Sequence, residues 1–302
     1  GASTFAVFGF PTPIIAGTAA GFTVTALDAY GQVVAGFGGT VHFTSTDPAA
    51  ALPADYAFSV ADQGSHTFAA TFLTAGTQSI TATSNANAGV TGTQGGIAVN
   101  AAIKALTVTG FPSPVTAGVA GNFTVTARDA NGNVATWYTG TVVFSSSDPR
   151  NAVPAAYTFT AADKGVHTFA ATLYAAGTQS ITATDTATGG LSGAQGGITV
   201  NPAAASRFLI TAPSSVTYGV AFSLTVTVQD AYGNVVTGYT GTIRFRSTNP
   251  KATLPANYTF TAADKGVHTF SGLVLRKRGN QTITITDTLN SALTGSVIEN
   301  VL

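Results

Sequence analysis

Apolar and polar residues alternate with a period of two along much of this chain. Phe22, Val24 and Ala26 are separated by Thr23 and Thr25, Val41 and Phe43 by His42, and Phe68, Ala70 and Phe72 share a face with His66. A period of two sends alternate side chains to opposite faces of a strand, so each run predicts a strand with one face buried. Phe5 to Phe10 is a further apolar run, stopped by Pro11 and Pro13 and resumed at Ile14-Ile15. A break of that kind predicts a split first strand at a sheet edge. Gln78 to Thr83 and Ile97 to Val99 close the set, and no stretch keeps a helical period.

Turn residues separate the runs. Asp28-Ala29-Tyr30-Gly31-Gln32 reads as a hairpin turn, because the Asp side chain can bond the backbone two residues on and Gly accepts positive φ. Asp47-Pro48 and Pro53 predict a crossover, since two prolines so close cannot lie in a central strand. Gly76 predicts a turn into a hairpin strand at Gln78.

The whole pattern occurs three times. His66, His167 and His268 are spaced by 101 residues, as are Asp62, Asp163 and Asp264, which is a repeat at the length of a domain. The 302 residues therefore predict three β-sandwich domains at 1–101, 102–202 and 203–302. In the third repeat one extra residue is expected in the loop Arg276-Lys277-Arg278-Gly279, which offsets the positions after it by 102. Asn100-Ala101-Ala102 and Asn201-Pro202-Ala203-Ala204-Ala205 are connectors too short to swing freely. Three sandwiches in line predict an elongated rod on the order of 100 Å.

Composition narrows the function classes. With no Cys there is neither a disulfide framework nor a thiolate metal site, and with no Met the chain reads as a mature form or a fragment. No apolar run approaches the roughly 20 residues of a membrane-spanning helix, so no transmembrane segment is expected. Only 8% of residues are charged, and the net charge is zero. Zero net charge argues against nucleic acid. The charges are graded along the chain. Residues 1–101 carry Asp28, Asp47, Asp55 and Asp62 and no Lys or Arg, a sum of −4, whereas residues 203–302 set eight cations against four acids, a sum of +4. That gradient suits head-to-tail contact between copies.

Candidate chemistry is sparse. Asp62 with His66, Asp163 with His167 and Asp264 with His268 are the recurring ionisable pairs. No nucleophile or third ligand repeats beside them, and histidines in three different domains cannot share a metal. The spacing Asp-x-Gly-x-His-x-Phe instead predicts a structural corner, by analogy with the tyrosine corner of immunoglobulin sandwiches, although here two strands follow the one carrying the His. Trp137-Tyr138 and the basic Arg276-Lys277-Arg278 are the candidate surface contacts. Asp129-x-Asn131-x-Asn133 lacks the sixth-position Gly and twelfth-position Glu of a calcium loop, which leaves calcium only between domains, from scattered acids such as Asp185 or Asp287. No catalytic residue, cofactor or resident metal is expected.

The run Phe123 to Asn133 resembles the second strand and turn of bacterial Ig-like repeats, and the Asp-x-Gly-x-His-x-Phe segment with the Ala-Gly-Thr-Gln-Ser-Ile-Thr-Ala-Thr hairpin resembles their filamin-like variety. The resemblance covers essentially the whole chain, three times over. It implies tandem Ig-like sandwiches of a large bacterial surface protein, a stalk, adhesin or cell-envelope component. The expectation is thus a non-enzymatic extracellular or cell-surface protein, a rod or fibre segment. Its partners would be itself, through head-to-tail or edge-strand association, or other surface proteins and glycans. A self-assembling filament or surface-layer subunit and a carbohydrate-binding accessory module are the alternatives.

Overall fold

The computed structural model describes residues 1–188 and 190–302, and it is all-β apart from three short 3-10 turns. The first repeat shows how the pattern becomes a sandwich. Its strands are β1 (Thr4–Phe8), β2 (Ile14–Ile15), β3 (Ala19–Leu27), β4 (Thr40–Ser45), β5 (Tyr56–Ala57), β6 (Ser65–Thr71), β7 (Gly76–Ser84) and β8 (Thr91–Asn100). One sheet has the order β1-β3-β6, the other β2-β8-β7-β4-β5. All neighbours are antiparallel except β2 and β8. The break at Pro11 to Pro13 thus sends the two halves of the first strand to opposite sheets, a split-strand Ig-like order. The same two sheets recur in the second and third repeats.

The apolar face of each strand meets that of the opposite sheet. Phe22 on β3 sits edge-on to Phe43 on β4 at 5.7 Å, and Phe43 meets Phe68 on β6 at 4.7 Å. Phe72, Ile80 and Ile97 are buried in the same cluster. At about 1.5–3 kcal/mol for each large side chain fully removed from water, such a core holds a sandwich without disulfide or metal. The polar faces carry cross-strand hydroxyl pairs in place of charges. Thr23 pairs with Thr67 at 3.2 Å, Thr124 with Thr168 at 3.1 Å, Thr225 with Thr269 at 2.9 Å and Thr81 with Thr93 at 2.8 Å.

Three local expectations change. The turn at Asp28 doubles the chain back antiparallel only as far as the Leu27 to Val33 bridge and the bond from the Val34 amide to the Ala26 carbonyl; the chain then crosses to the other sheet as β4, so the hairpin is minimal and does not join two full strands. The Gly76 turn likewise passes from β6 in one sheet to β7 in the other. The extra residue of the third repeat is not in the basic loop. It is a bulge in the strand Val267–Val274, where Leu224 faces Phe270 but Phe222 faces Leu273, with Gly272 at φ 76°. Leu275 therefore falls in the buried place of Phe72 and Leu173, and Arg276, Lys277 and Arg278 replace Tyr174, Ala175 and Ala176.

One core position breaks the pattern. Gln78 faces Ile97 and Gln179 faces Ile198, but in the third repeat Gln281 faces Glu299. Glu299 is 0% exposed, and neither carboxyl oxygen has a hydrogen-bond partner. Burial raises its pKa.

By packing, the chain divides into two compact units. One comprises Gly1–Ala105, Thr126–Thr139 and Phe159–Val166, the other Leu106–Val125, Gly140–Thr158 and His167–Leu302. Among the described residues no helix is long and apolar enough to cross a membrane.

Candidate functional site

The recurring Asp and His meet. In the first repeat a 3-10 turn at Val60–Asp62 lets the Asp62 carboxylate accept from the Ser59 amide at 2.6 Å, the Ser59 hydroxyl at 2.9 Å and the Tyr56 hydroxyl at 3.1 Å. His66 Nδ1 lies 2.7 Å from Asp62 Oδ1, and its ring stacks on Tyr56 at 4.3 Å. The Ser59 amide first, then the other donors, hold Asp62 down to about 2. Asp264 and His268 repeat this geometry at 2.6 Å, and Asp163 accepts from Thr160 at 2.6 Å while His167 packs on Tyr157. Gly64 is required here: its φ is 78°, and a Cβ would collide with the Val34 carbonyl. Its own carbonyl accepts from Ala26, which ties the turn to β3.

A carboxylate bonded to an imidazole is half of an acid–base device, but the other half needs an activated group. Asp62 is filled by four donors, and the Tyr56 hydroxyl already donates to it, with burial and then that bond raising the tyrosine's pKa. Among the described residues no three His, Asp or Glu converge as metal ligands. Asp287, one of the acids considered for calcium, accepts from the Leu289 and Asn290 amides of its own loop, and Asp185 does the same for Ala187 and Thr188. His42, read from sequence as a solvated strand position, is exposed and bonds Asp55 at 2.6 Å.

The aromatic pair separates. Tyr138 is 5% exposed and packs on Phe159 at 5.0 Å, because the turn closed by its amide on the Ala135 carbonyl folds it against the core; it is not a surface contact. Trp137 is half-buried. Arg276, Lys277 and Arg278 are exposed, with Arg276 donating to the Lys251 carbonyl and the Thr253 hydroxyl and Arg278 lying 5.5 Å over the Tyr218 ring.

The arrangement that sequence reasoning missed lies around the loop after β6 and its equivalents. In the first repeat Asp47 anchors this loop, accepting from the Leu73 and Thr74 amides at 2.8 and 3.0 Å, and in the second Asp148 does so for Tyr174 and Ala175. Burial pushes Asp47 up, but the Thr74, Ala49 and Leu73 donors outweigh it and bring it to about 2. The third repeat has Asn249 there, which accepts from Lys251 while its Nδ2 is buried without a partner.

The first two of these loops face the Asp-Ala-x-Gly turn of the next repeat, with different results. Within the first compact unit, Leu73, Thr74 and Ala75 remain exposed, and with Gly17, Ala130 and Asn131 they line a cleft of about 460 Å³. Within the second unit the equivalent joint is closed. Tyr232 packs on Tyr174 with ring centroids 5.0 Å apart and the planes tilted by 54°, and it lies over Gly118, where a Cβ would land on the Tyr232 hydroxyl. Asn234 is buried; it donates to the Tyr174 carbonyl at 2.7 Å and to Asp230 at 2.8 Å, and accepts from Arg150 at 2.9 Å and the Ala176 amide at 3.0 Å. Arg150 also donates to the Tyr232 carbonyl. Asp230 in turn accepts from the connector amide of Ala203 at 2.9 Å.

No protein-family description matches the chain, and no curated protein matches it. Among solved structures it is similar to FdeC, a broadly conserved Escherichia coli adhesin, at 19% identity and a TM-score of 0.42 over 99% of this chain and 96% of that one. It is also similar to invasin, a bacterial integrin-binding protein, at 19% identity and a TM-score of 0.37 over 99% of this chain and 60% of that one. A third likeness is to domains 4–9 of the surface-layer protein SbsC, at 18% identity and a TM-score of 0.32 over 100% of this chain and 48% of that one.

Proposed function

We propose that this chain is a non-enzymatic structural segment of a bacterial surface protein, a stalk or fibre section built of three sandwich domains at 1–101, 102–202 and 203–302. The observation that carries the reading is the repetition of the same pair of sheets three times with short connectors between, one of them tied down by Asp230. A function that resides in length and stiffness is served by two features: turns built alike in each repeat, and ionisable groups engaged in holding loops. The Asp–His pairs serve as corners, fixing the entry to the strand that carries the His.

Small-angle scattering on the full chain tests this. A rod on the order of 100 Å has a radius of gyration of about 30 Å, whereas a compact globule of this length has about 19 Å. A value near the smaller figure overturns the stalk. His167→Ala is expected to lower the unfolding temperature of the second repeat alone.

A further inference from the structure

We propose that the outer face of the five-stranded sheet in the third repeat binds an acidic polysaccharide, whose carboxylates are held by Arg244 and Arg246. The inference names a ligand class and does not depend on the stalk reading.

Three neighbouring strands set these arginines among hydroxyls. On Thr242–Ser247 they flank the outward side of the strand, two residues apart and opposite in direction to buried Ile243, so both belong to one face. Arg244 is paired with Thr286 and Arg246 with Thr284 on Gly279–Asp287, and those threonines are paired with Thr294 and Ser296 on Thr294–Val301. The Thr286 and Thr294 hydroxyls lie 3.1 Å apart, on that same face. Two guanidinium groups about 7 Å apart along a strand repel one another unless an anion joins them. The first repeat meets the equivalent need from within, since His42, at the place of Arg244, bonds Asp55 at 2.6 Å. The third repeat has Asn257 where Asp55 stands. Among the described residues neither arginine is in an ion pair, and Arg244 Nε is buried without a hydrogen-bond partner.

Charge selects the ligand. Of the repeat's four acids, Asp230, Asp287 and Glu299 are buried and Asp264 is filled by the donors of its corner, so the charge this repeat turns to solvent is positive. An anionic partner is complementary to such a surface. The face is a side of the sandwich, and neighbouring repeats leave it bare. The second repeat has a neighbour before and after it, yet Val143, at the place of Arg244, is 41% exposed and Ser145, at the place of Arg246, is exposed as well. A sheet face without a pocket suits a polymer that lies along it. Each planar guanidinium fork can donate two bonds to a carboxylate, and the threonine and serine hydroxyls can donate to and accept from sugar hydroxyls. Single-stranded nucleic acid is held chiefly by rings stacked on its bases, and this face offers hydroxyls in their place.

Binding of the full chain to immobilised polygalacturonate tests the proposal, with the fully methyl-esterified polymer as the neutral control. At about 0.01 M ionic strength the wild type is expected to bind polygalacturonate and not the ester, and at about 1 M to release it. Arg244→Gln with Arg246→Gln should weaken binding at least about tenfold, and lysine at both positions should restore part of it. Arg207→Gln with Lys265→Gln removes the same charge away from this sheet and should leave binding within about twofold. Arg246→Gln alone, at an exposed position, should weaken binding by itself if the double variant does not fold. A wild type that does not bind polygalacturonate at low salt overturns the proposal, as does equal binding to the ester or an equal loss in the two double variants. Tighter binding to a DNA duplex or to polyglutamate, lost with the same two arginines, also overturns it, by giving the face to nucleic acid or to an acidic protein.

Discussion

The two joints use the same backbone elements and differ in a few side chains. Where the first has Ala49, Leu73, Asn131 and Asn133, the second has Arg150, Tyr174, Tyr232 and Asn234. Asn133 is exposed, while Asn234 is 8% exposed with four hydrogen bonds. Leu73 is 52% exposed, while Tyr174 is half-covered by Tyr232. A shared turn geometry is therefore not sufficient for a closed contact. What closes it is a flat ring over a glycine and an amide that bonds both sides.

The strongest way to break this difference is Asn234→Ala. It strips the Tyr174 carbonyl and the Ala176 amide of buried partners and should cost about 3 kcal/mol at the second joint. Hydrogen exchange at Ala176 should then quicken about 100-fold, whereas Asn133→Ala should leave exchange at Ala75 unchanged. Equal responses would mean that the joints are alike.

Stability of the third repeat has a second determinant, and removing it sharpens the comparison. Glu299→Ile restores the residue found at positions 97 and 198 and should stabilise that repeat by about 1–3 kcal/mol near neutral pH. Burial raises the folded-state pKa of Glu299, so the folded chain holds this proton more tightly than the unfolded chain. Stability is complete below the ordinary glutamate range and declines as pH rises through the raised folded value. Thermal unfolding followed across that range should show the decline in the wild type and lose it in the variant.

The smallest effect comes from paired glycines. Gly17 and Gly118 both have positive φ, so alanine at either costs about 1 kcal/mol of backbone strain. Only Gly118→Ala also displaces Tyr232. An additional loss of about 1 kcal/mol, and faster exchange at Ala176, should separate it from Gly17→Ala in denaturant unfolding.

Much of the sandwich was legible because alternation reports burial directly: Phe22, Val24 and Ala26 read as one buried face and are one. Alternation does not report which sheet a strand joins, and so the Gly76 turn reads as a hairpin when it is a crossing between sheets, and the Asp28 turn reads as joining two full strands when its pairing ends at Val34 and the chain then crosses. The inserted residue was misplaced for a related reason. A left-handed glycine inside a strand, Gly272, absorbs it as a bulge without disturbing the flanking pattern, while the basic loop draws attention by its charge. The Asp–His spacing pointed to the bonded pair, but the donors that fill Asp62 come from Ser59 and Tyr56, outside the motif's most recognisable residues. The second joint was not legible, since Arg150 and Asn234 are 84 residues apart and only the crossing of two repeats brings them within 2.9 Å.

The threonine pairs on the outward sheet faces have a further consequence. Hydroxyl pairs satisfy one another across neighbouring strands and carry no net charge, so the stretches of sheet they cover add no long-range field. Against that background the exposed run Arg276, Lys277 and Arg278 sets up a local positive field that salt mutes.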